Sequence, residues 1–338
     1  MEEEFNWPFS AQHLTETVNE LDNQWGLLAE MDIAPGEGVS NTVVEIAIVG
    51  NEIRVLPARK RGDDPVARPA NTEKSIFVEI PYFPQEHTIK PKDLQDWVKK
   101  ENRLIKPVTL AESLAERLEL MRLDHDLTLE YIRMGAAKGL LKDGEGTTLL
   151  NLFTAFGVTK KVVDFELDSD TTNVIAKCEE VVSHVRQNLK GEIMSGVVVL
   201  VSKAFFTSLV THPNVEKFWL QTQQAQALAQ MQWGQYGRRF EFGGLVFQEY
   251  DASVTLYNKT TPDMIEAGYG HALPVGTRSA FQTYFAPPDH IEYANEPGLE
   301  ILITQEMLKH GKGVECMSQS APLAAFRRPA ALVEVVQY

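Results

Sequence analysis

The sequence predicts an α+β fold, and three observations carry that expectation. From Thr109 onward, Leu110, Leu114, Leu118 and Met121 recur at helical spacing, and apolar content continues through Leu127, Tyr131 and Met134, which calls for one long helix over 109–138. Runs such as TVVEIAIV and GVVVLV are too β-branched and continuous for anything but strands. The chain also closes on AALVEVV, a strand-like segment where termini are usually loose unless something ties them down.

Taken in order, residues 1 to 35 scatter Phe5, Trp7, Phe9, Leu14, Val18, Leu21 and Trp25 among acids. Two readings fit: a short amphipathic helix on the body of the protein, or an arm that packs on a neighbouring subunit. Residues 42–57, TVVEIAIVGNEIRVLP, read as two strands around a tight turn at Gly50-Asn51. ARKRGDDPVARPANTEK follows and offers nothing for a core, before SIFVEIPYF resumes strand character. A long polar excursion between strand-forming flanks marks a loop that leaves its domain. Its charges, Arg59, Lys60, Arg61 and Arg68 with Asp63 and Asp64 between them, are too few and too mixed for nucleic acid. They suit either a solvated loop tip or a complementary surface on another protein copy.

Thr109 and Glu112 form a capping-box pattern at the start of the long helix. TLLNLFTAFGVTKKVVDFEL reads as strands or a hairpin, and Asp168-Ser169-Asp170 are placed to cap a second helix. That helix keeps Val174, Cys178, Val181, Val185 and Leu189 on one face and closes at Lys190-Gly191. GVVVLVSKAFFTSLV predicts a buried central strand entering a helix. Residues 221–235 are glutamine-rich and read as a polar-faced helix or loop. FEFGGLVFQEY, ASVTLY and RSAFQTYF then read as strands, with a turn at Pro287-Pro288 and bends at Pro322 and Pro329.

Composition bounds the function. With 338 residues, 43% hydrophobic and 23% charged, the chain is globular and forms one large domain or two to three ordinary ones. A net charge of −15 argues against a general nucleic-acid binder, whose affinity rests on clustered Lys and Arg. Cys178 and Cys316 suggest no disulfide framework, MEEEFNWPFS has no signal-peptide pattern, and no apolar run nears the ~20 residues of a membrane span. The expectation is a soluble protein made in the cytoplasm, without a membrane partner.

The sequence carries no recognisable catalytic pattern. Gly36-Glu37-Gly38 and Gly144-Glu145-Gly146 begin like dinucleotide loops but lack the third glycine, so both read as turns. No serine sits in a Gly-x-Ser-x-Gly elbow, and the eight histidines form no metal-ligand spacing. Asp124-His125-Asp126 fan out around a helix axis and read as a solvated face. No enzyme activity, cofactor or metal is expected.

The order of three segments carries a resemblance. "SQSAPLAAFRRPAALVEVV" at the end, "VVVLVSKAFFTSLVTHPNVEKFW" in the middle, and "GLVFQEYDASV" followed by "LPVGTRSAFQTYFAP" resemble the lambda-type major capsid (head) protein family of tailed bacteriophages, with its Hong Kong 97-type capsid fold. The resemblance implies an N-terminal arm at 1–35, an extended loop at 36–90, a peripheral domain at 91–170 plus 315–338 built on the long spine helix, and an axial domain at 171–314. The loop charges Arg59, Lys60, Arg61, Asp63, Asp64 and Arg68 would touch a neighbouring subunit. Val333 and Val335 would complete the peripheral sheet beside the long helix, with Arg327 and Arg328 at the preceding turn facing an acid of the same or another subunit. The implied partners are copies of the chain itself, in pentamers and hexamers, together with scaffolding, portal and decoration proteins and enclosed, non-specifically held DNA. Some relatives join a loop lysine to an asparagine; Lys60 and Lys74 are the loop lysines here, and with no asparagine matched a non-covalent shell is expected. An encapsulin-like compartment shell and, from a different class, a cytosolic α/β enzyme are the alternatives.

Overall fold

The structure, a computed structural model, describes residues 11–20, 26–48, 74–95, 98–101, 104–107, 110–190, 192–221, 232–234 and 237–338. The chain starts with helix α1 (Ala11–Glu20) and one turn of helix, α2 (Leu27–Glu30). Strands β1 (Gly36–Gly38), β2 (Val43–Ile48), β3 (Lys74–Glu79) and β4 (Phe83–Ile89) follow, then α3 (Pro91–Gln95), β5 (Val98–Glu101) and β6 (Leu104–Pro107). Helix α4 (Leu110–Lys138) runs for 29 residues. It stops at Gly139, whose φ of +76° disfavours any side chain and whose Cβ position is already filled by the Phe153 ring. Next come β7 (Leu140–Lys142), β8 (Thr148–Asn151), α5 (Leu152–Phe156), β9 (Lys161–Asp164), α6 (Val174–Leu189), β10 (Gly196–Val201), α7 (Lys203–Thr211) and α8 (Pro213–Gln221). Strands β11 (Gln232–Gly234), β12 (Gly237–Phe242), β13 (Leu245–Glu249), β14 (Tyr269–Val275) and β15 (Phe281–Phe285) precede β16 (Leu302–Met307), β17 (Val314–Ser320), β18 (Pro322–Phe326) and β19 (Val333–Val336).

The chain divides into two compact units. The first comprises Met1–Val44, Glu79–Glu130 and Thr283–Leu323. Its sheet has the order β16-β17-β4, antiparallel throughout, with Val314 opposite Ile89 and Leu302 opposite Gln319. Over it lies a core of Leu14 and Val18 from α1, Leu114, Leu118 and Met121 from α4, and Ile89, Ile303 and Cys316 from the strands. Removing these side chains from water supplies the driving force, since each stabilises by roughly 1.5–3 kcal/mol when fully buried. Thr15 fixes α1 to β16, its hydroxyl donating to the Ile303 carbonyl at 3.2 Å and accepting the Ile303 N–H at 3.1 Å. Residues 11–20 therefore take the first of the two readings open to them, a helix on the body.

The second unit comprises Glu45–Val78, Tyr131–Gln282 and Ala324–Tyr338. Its seven-stranded sheet has the order β11-β12-β13-β10-β14-β19-β9. The apolar run Val197–Val201 sits at the centre as expected, parallel to β13 and antiparallel to β14. Gly243 and Gly244, at φ +60° and +79°, make the tight hairpin between β12 and β13. Ser202 caps α7 by accepting the Phe205 N–H, and Phe165, Phe205 and Phe247 pack ring on ring beneath it, with Phe165 edge-on to Phe205 at 5.5 Å between centroids. Helix α6 buries the anticipated stripe of Val174, Cys178, Val181, Val185 and Leu189.

Several expectations need correcting. The cap of α6 is Asn173, which accepts the Ala176 N–H, rather than Asp168 or Asp170, because the chain turns once more before the helix begins. Gly36-Glu37-Gly38 is a strand paired parallel to β15, where a Cβ at Gly38 would run into the backbone of Gly298. ASVTLY forms a single bridge between Ser253 and Asp263 instead of a strand. The final strand, β19, pairs with β9, which lies within the span 91–170 expected for its domain, and also with β14. The alternation of VEVV specifies a half-buried strand but not which edges receive it. Strand β4 shares a sheet with β16 and β17. The second run of 42–57, the residue Thr109 and most of 221–235 lie outside the described residues.

Candidate functional site

The loop residues Arg59, Lys60, Arg61, Asp63, Asp64 and Arg68 lie outside the described residues. The strands on either side of them, β2 and β3, pair with each other in a two-stranded sheet. Ile46 is buried, yet Phe77 is 74% exposed and Val43 45% exposed. A two-stranded ribbon is marginal alone, and large apolar groups left open on it call for cover.

The C-terminal site residues are resolved into two roles. Val333 and Val335 are core, at 1% and 0% exposure. Arg327 donates from Nη2 to the Gln282 Oε1 at 2.9 Å, and Arg328 Nε lies 3.0 Å from Glu192 Oε2 with both side chains mostly buried. Glu192 also accepts from the Ser279 N–H and hydroxyl through its other oxygen, at 2.9 and 3.2 Å. Arg328 therefore has its acid within the same chain, and that acid organises the turn before β19. Glu192 lies far from Arg328 in sequence and no local pattern announces it.

The Asp124-His125-Asp126 segment is not the solvated face that the sequence suggests. Asp124 is exposed, while His125 and Asp126 are buried at 7% and 3%. Arg122, one turn earlier, places Nε 2.9 Å from Asp126 Oδ1 and reaches Glu300 at 3.3 Å. The i,i+4 spacing of Arg122 and Asp126 is the signal that could have revealed the pair. His125 Nε2 lies 2.9 Å from the Ser318 hydroxyl, and burial, reinforced by Arg122, pushes its pKa down to about 4. Further along α4, Glu130 accepts the Leu28 N–H at 2.8 Å. A serine beside a histidine invites comparison with a nucleophile and base. Ser318 is fully buried, however, and the neighbouring carboxylate is engaged by Arg122 rather than by the imidazole. The cluster holds elements together; it presents no reacting atom to a substrate.

Among the described residues no three His, Cys, Asp or Glu side chains are grouped to hold a metal ion, and no helix is long and apolar enough to cross a membrane. The feature that remains is the charged segment 49–73 of the sequence, between two strands with open apolar residues.

Comparison with known proteins gives a consistent result. Residues 10–337 match the family model described as phage major capsid protein E. The major capsid protein of Salmonella phage Felix O1 (isolate Felix O1-VT1) is 25% identical, covering 97% of this chain and 96% of its own. That of Pseudomonas phage KPP10 is 27% identical, covering 92% of each. Among solved structures, a protein described as the capsid protein of a prophage of E. coli CFT073 superposes with a TM-score of 0.60 at 10% identity, over 98% of this chain and 99% of that one. A chain of the bacteriophage PhiM1 mature capsid gives 0.51 at 10% identity, over 90% and 85%. At such identities these structures speak to the fold alone.

Proposed function

Because the chain belongs to the phage major capsid protein E family, we propose that its copies close into the icosahedral head shell of a tailed bacteriophage and enclose the packaged double-stranded DNA. The match over residues 10–337 carries this reading, since it spans both compact units and not one shared motif. The chain acts as a structural protein of the virion, without catalysis of its own. It is made and assembled in the host cytoplasm, and its acidic balance suits a container that must not bind its contents tightly.

The first unit, with α4 over β16-β17-β4, takes the part of the peripheral domain, and the second, with its seven-stranded sheet, that of the axial domain at the centres of pentamers and hexamers. Residues 49–73, with Arg59, Lys60, Arg61, Asp63, Asp64 and Arg68, lie on an adjacent subunit, joined without covalent links. A loop with no core of its own gains one in a closed symmetric shell, where every copy supplies cover to the next. Exposed Phe77 and Val43 at its base support such cover. Scaffolding, portal and decoration proteins are the further partners of a shell of this kind.

Electron microscopy of the purified or co-expressed protein tests the reading. Closed shells, rings or tubes are the expected result; a monodisperse monomer at high concentration in every condition would overturn it. Deleting residues 58–74 should leave a folded subunit that no longer assembles.

A further inference from the structure

In the first unit, residues 286–298 between β15 and β16 form a loop whose two ends are pinned together. Gly298 donates its N–H to the Val39 carbonyl at 3.0 Å, and a Cβ on it would run into the carbonyls of Phe285 and Ala286, so the neck closes only on a glycine. Compact loops with their ends together are frequently functional. Pro287, Pro288 and Pro297 restrict its backbone further. Within it lies a single 3₁₀ turn, Ile291–Tyr293, where His290 Nδ1 accepts the Glu292 N–H at 3.3 Å and the imidazole stands edge-on to Tyr293, 5.7 Å between centroids.

This ordered loop displays groups that its own subunit does not use. Ile291 is 91% exposed, and Tyr82, just ahead of β4, is 41% exposed. Partial burial, and then the nearby Asp289 carboxylate, raise the pKa of the Tyr82 phenol, which sets Tyr82 beside the loop. Residues 286–298 hold Asp289, Glu292 and Glu296 and neither Lys nor Arg, a net charge of −3 with His290 neutral. All three carboxylates are exposed, and among the described residues none of them is hydrogen-bonded or ion-paired. A lone exposed isoleucine is ordinary. The closed neck and the unmatched charge around it set this one apart, since a loop already ordered loses little entropy on docking.

The complementary charge is in the chain itself. Arg59-Lys60-Arg61 is the one run of three consecutive cations in a sequence of net charge −15. It belongs to residues 49–73, which connect β2 to β3, and an out-and-back path of that length spans at most about 40 Å, enough to reach a neighbouring molecule.

We propose that the loop 286–298 is the docking surface for Arg59-Lys60-Arg61 of a second copy of the chain, with Asp289, Glu292 and Glu296 facing the cations and their aliphatic stems covering Ile291 and Tyr82. The inference rests on the shell reading and gives its contact between copies a receiving surface. Charge of opposite sign on the two sides also selects the register, because a shifted copy brings like charges together.

Charge reversal in the full-length chain tests this. One variant carries Asp289→Lys, Glu292→Lys and Glu296→Lys, the other Arg59→Glu, Lys60→Glu and Arg61→Glu, with circular dichroism to check folding and sedimentation velocity to measure assembly. Each alone should yield about tenfold less assembled material than the parent. Mixing the two should restore assembly, because the reversed segment of one then meets the reversed loop of the other. Should the lysine variant misfold, Asp289→Asn with Glu292→Gln and Glu296→Gln keeps the side-chain sizes, removes the charge and should also reduce assembly. Folded variants that assemble as the parent does would overturn the proposal and leave the shell reading standing. Rescue only when both sets of changes are joined in one chain would overturn it too, by placing the contact within a subunit. A parent that stays monomeric in every condition would overturn the shell reading and this contact with it.

Discussion

Glu130 of the long helix accepts the backbone N–H of Leu28 at 2.8 Å, across 102 residues of sequence. The contact needs Gly26, whose φ is +116° and whose Cβ position is taken by the Glu130 carboxylate. Both groups are buried, so Glu130→Ala leaves an N–H with neither water nor a partner. It should lose about 1–3 kcal/mol in denaturant unfolding, whereas Glu130→Gln, which keeps an acceptor oxygen, should lose less. Gly26→Ala should be at least as harmful as Glu130→Ala. Equal stability of Glu130→Ala and the parent would show that the contact does not hold the N-terminal segment.

Arg122 and Asp126 form an ion pair that is 7% and 3% exposed. Such a pair contributes little over an apolar replacement, but removing either half takes the nearest counter-charge from the other, although Arg122 then still has Glu300 at 3.3 Å. Arg122→Met should cost about 3–5 kcal/mol, and Asp126→Ala less, because Glu300 still faces the guanidinium. The double variant Arg122→Met, Asp126→Leu should cost clearly less than their sum. A double-mutant cycle on urea unfolding measures this; additive losses would mean that the two charges are not coupled.

These two contacts also mark what sequence could and could not reveal. The long helix, the central Val197–Val201 strand and the stripe on α6 were legible because each repeats one local rule over many residues. The burial of His125 and Asp126 was not, since helical spacing fixes which face they share but not what packs on it. Asn173 displaced Asp168 and Asp170 as a cap because any Asn, Asp or Ser near a helix start is chemically competent, and the turn geometry selects among them. The pairing of β19 and the Arg328–Glu192 contact are decided by chain path over long separations, which one sequence does not encode locally.

His125 gives a pH dependence of definite sign. Burial and Arg122 lower its pKa from the ordinary 6.5 to about 4, so between these values the unfolded chain binds a proton that the folded chain refuses. Its contribution is therefore fully present above pH ~6.5 and is lost as pH falls towards ~4, by up to about 3 kcal/mol. Replacing it, as in His125→Gln, should flatten the stability profile in that window while acid titration of carboxylates persists below it. A wild-type profile as flat as that of the variant from pH 6.5 to 4.5 would contradict the assignment.

Removal of residues 331–338 is the severest test of how the chain end is used. Strand β19 lies between β14 and β9, antiparallel to one and parallel to the other, so its loss strips backbone partners from both and cuts β9 from the sheet. Leu332, Val333 and Val335 leave the core with it, each at 3% exposure or less. At roughly 1.5–3 kcal/mol per buried side chain, before any lost ladder bonds, this approaches the entire margin of about 5–15 kcal/mol on which a domain stands. The truncated chain should be insoluble or lack a cooperative unfolding transition, even where assembly is not required of it. Val335→Ala, which keeps the ladder and removes only side-chain volume, should lose about 2 kcal/mol and remain folded. If the truncated subunit stayed soluble with the parent's unfolding transition, the strand would serve contacts between copies, and the subunit's own stability would have to come from elsewhere in the sheet.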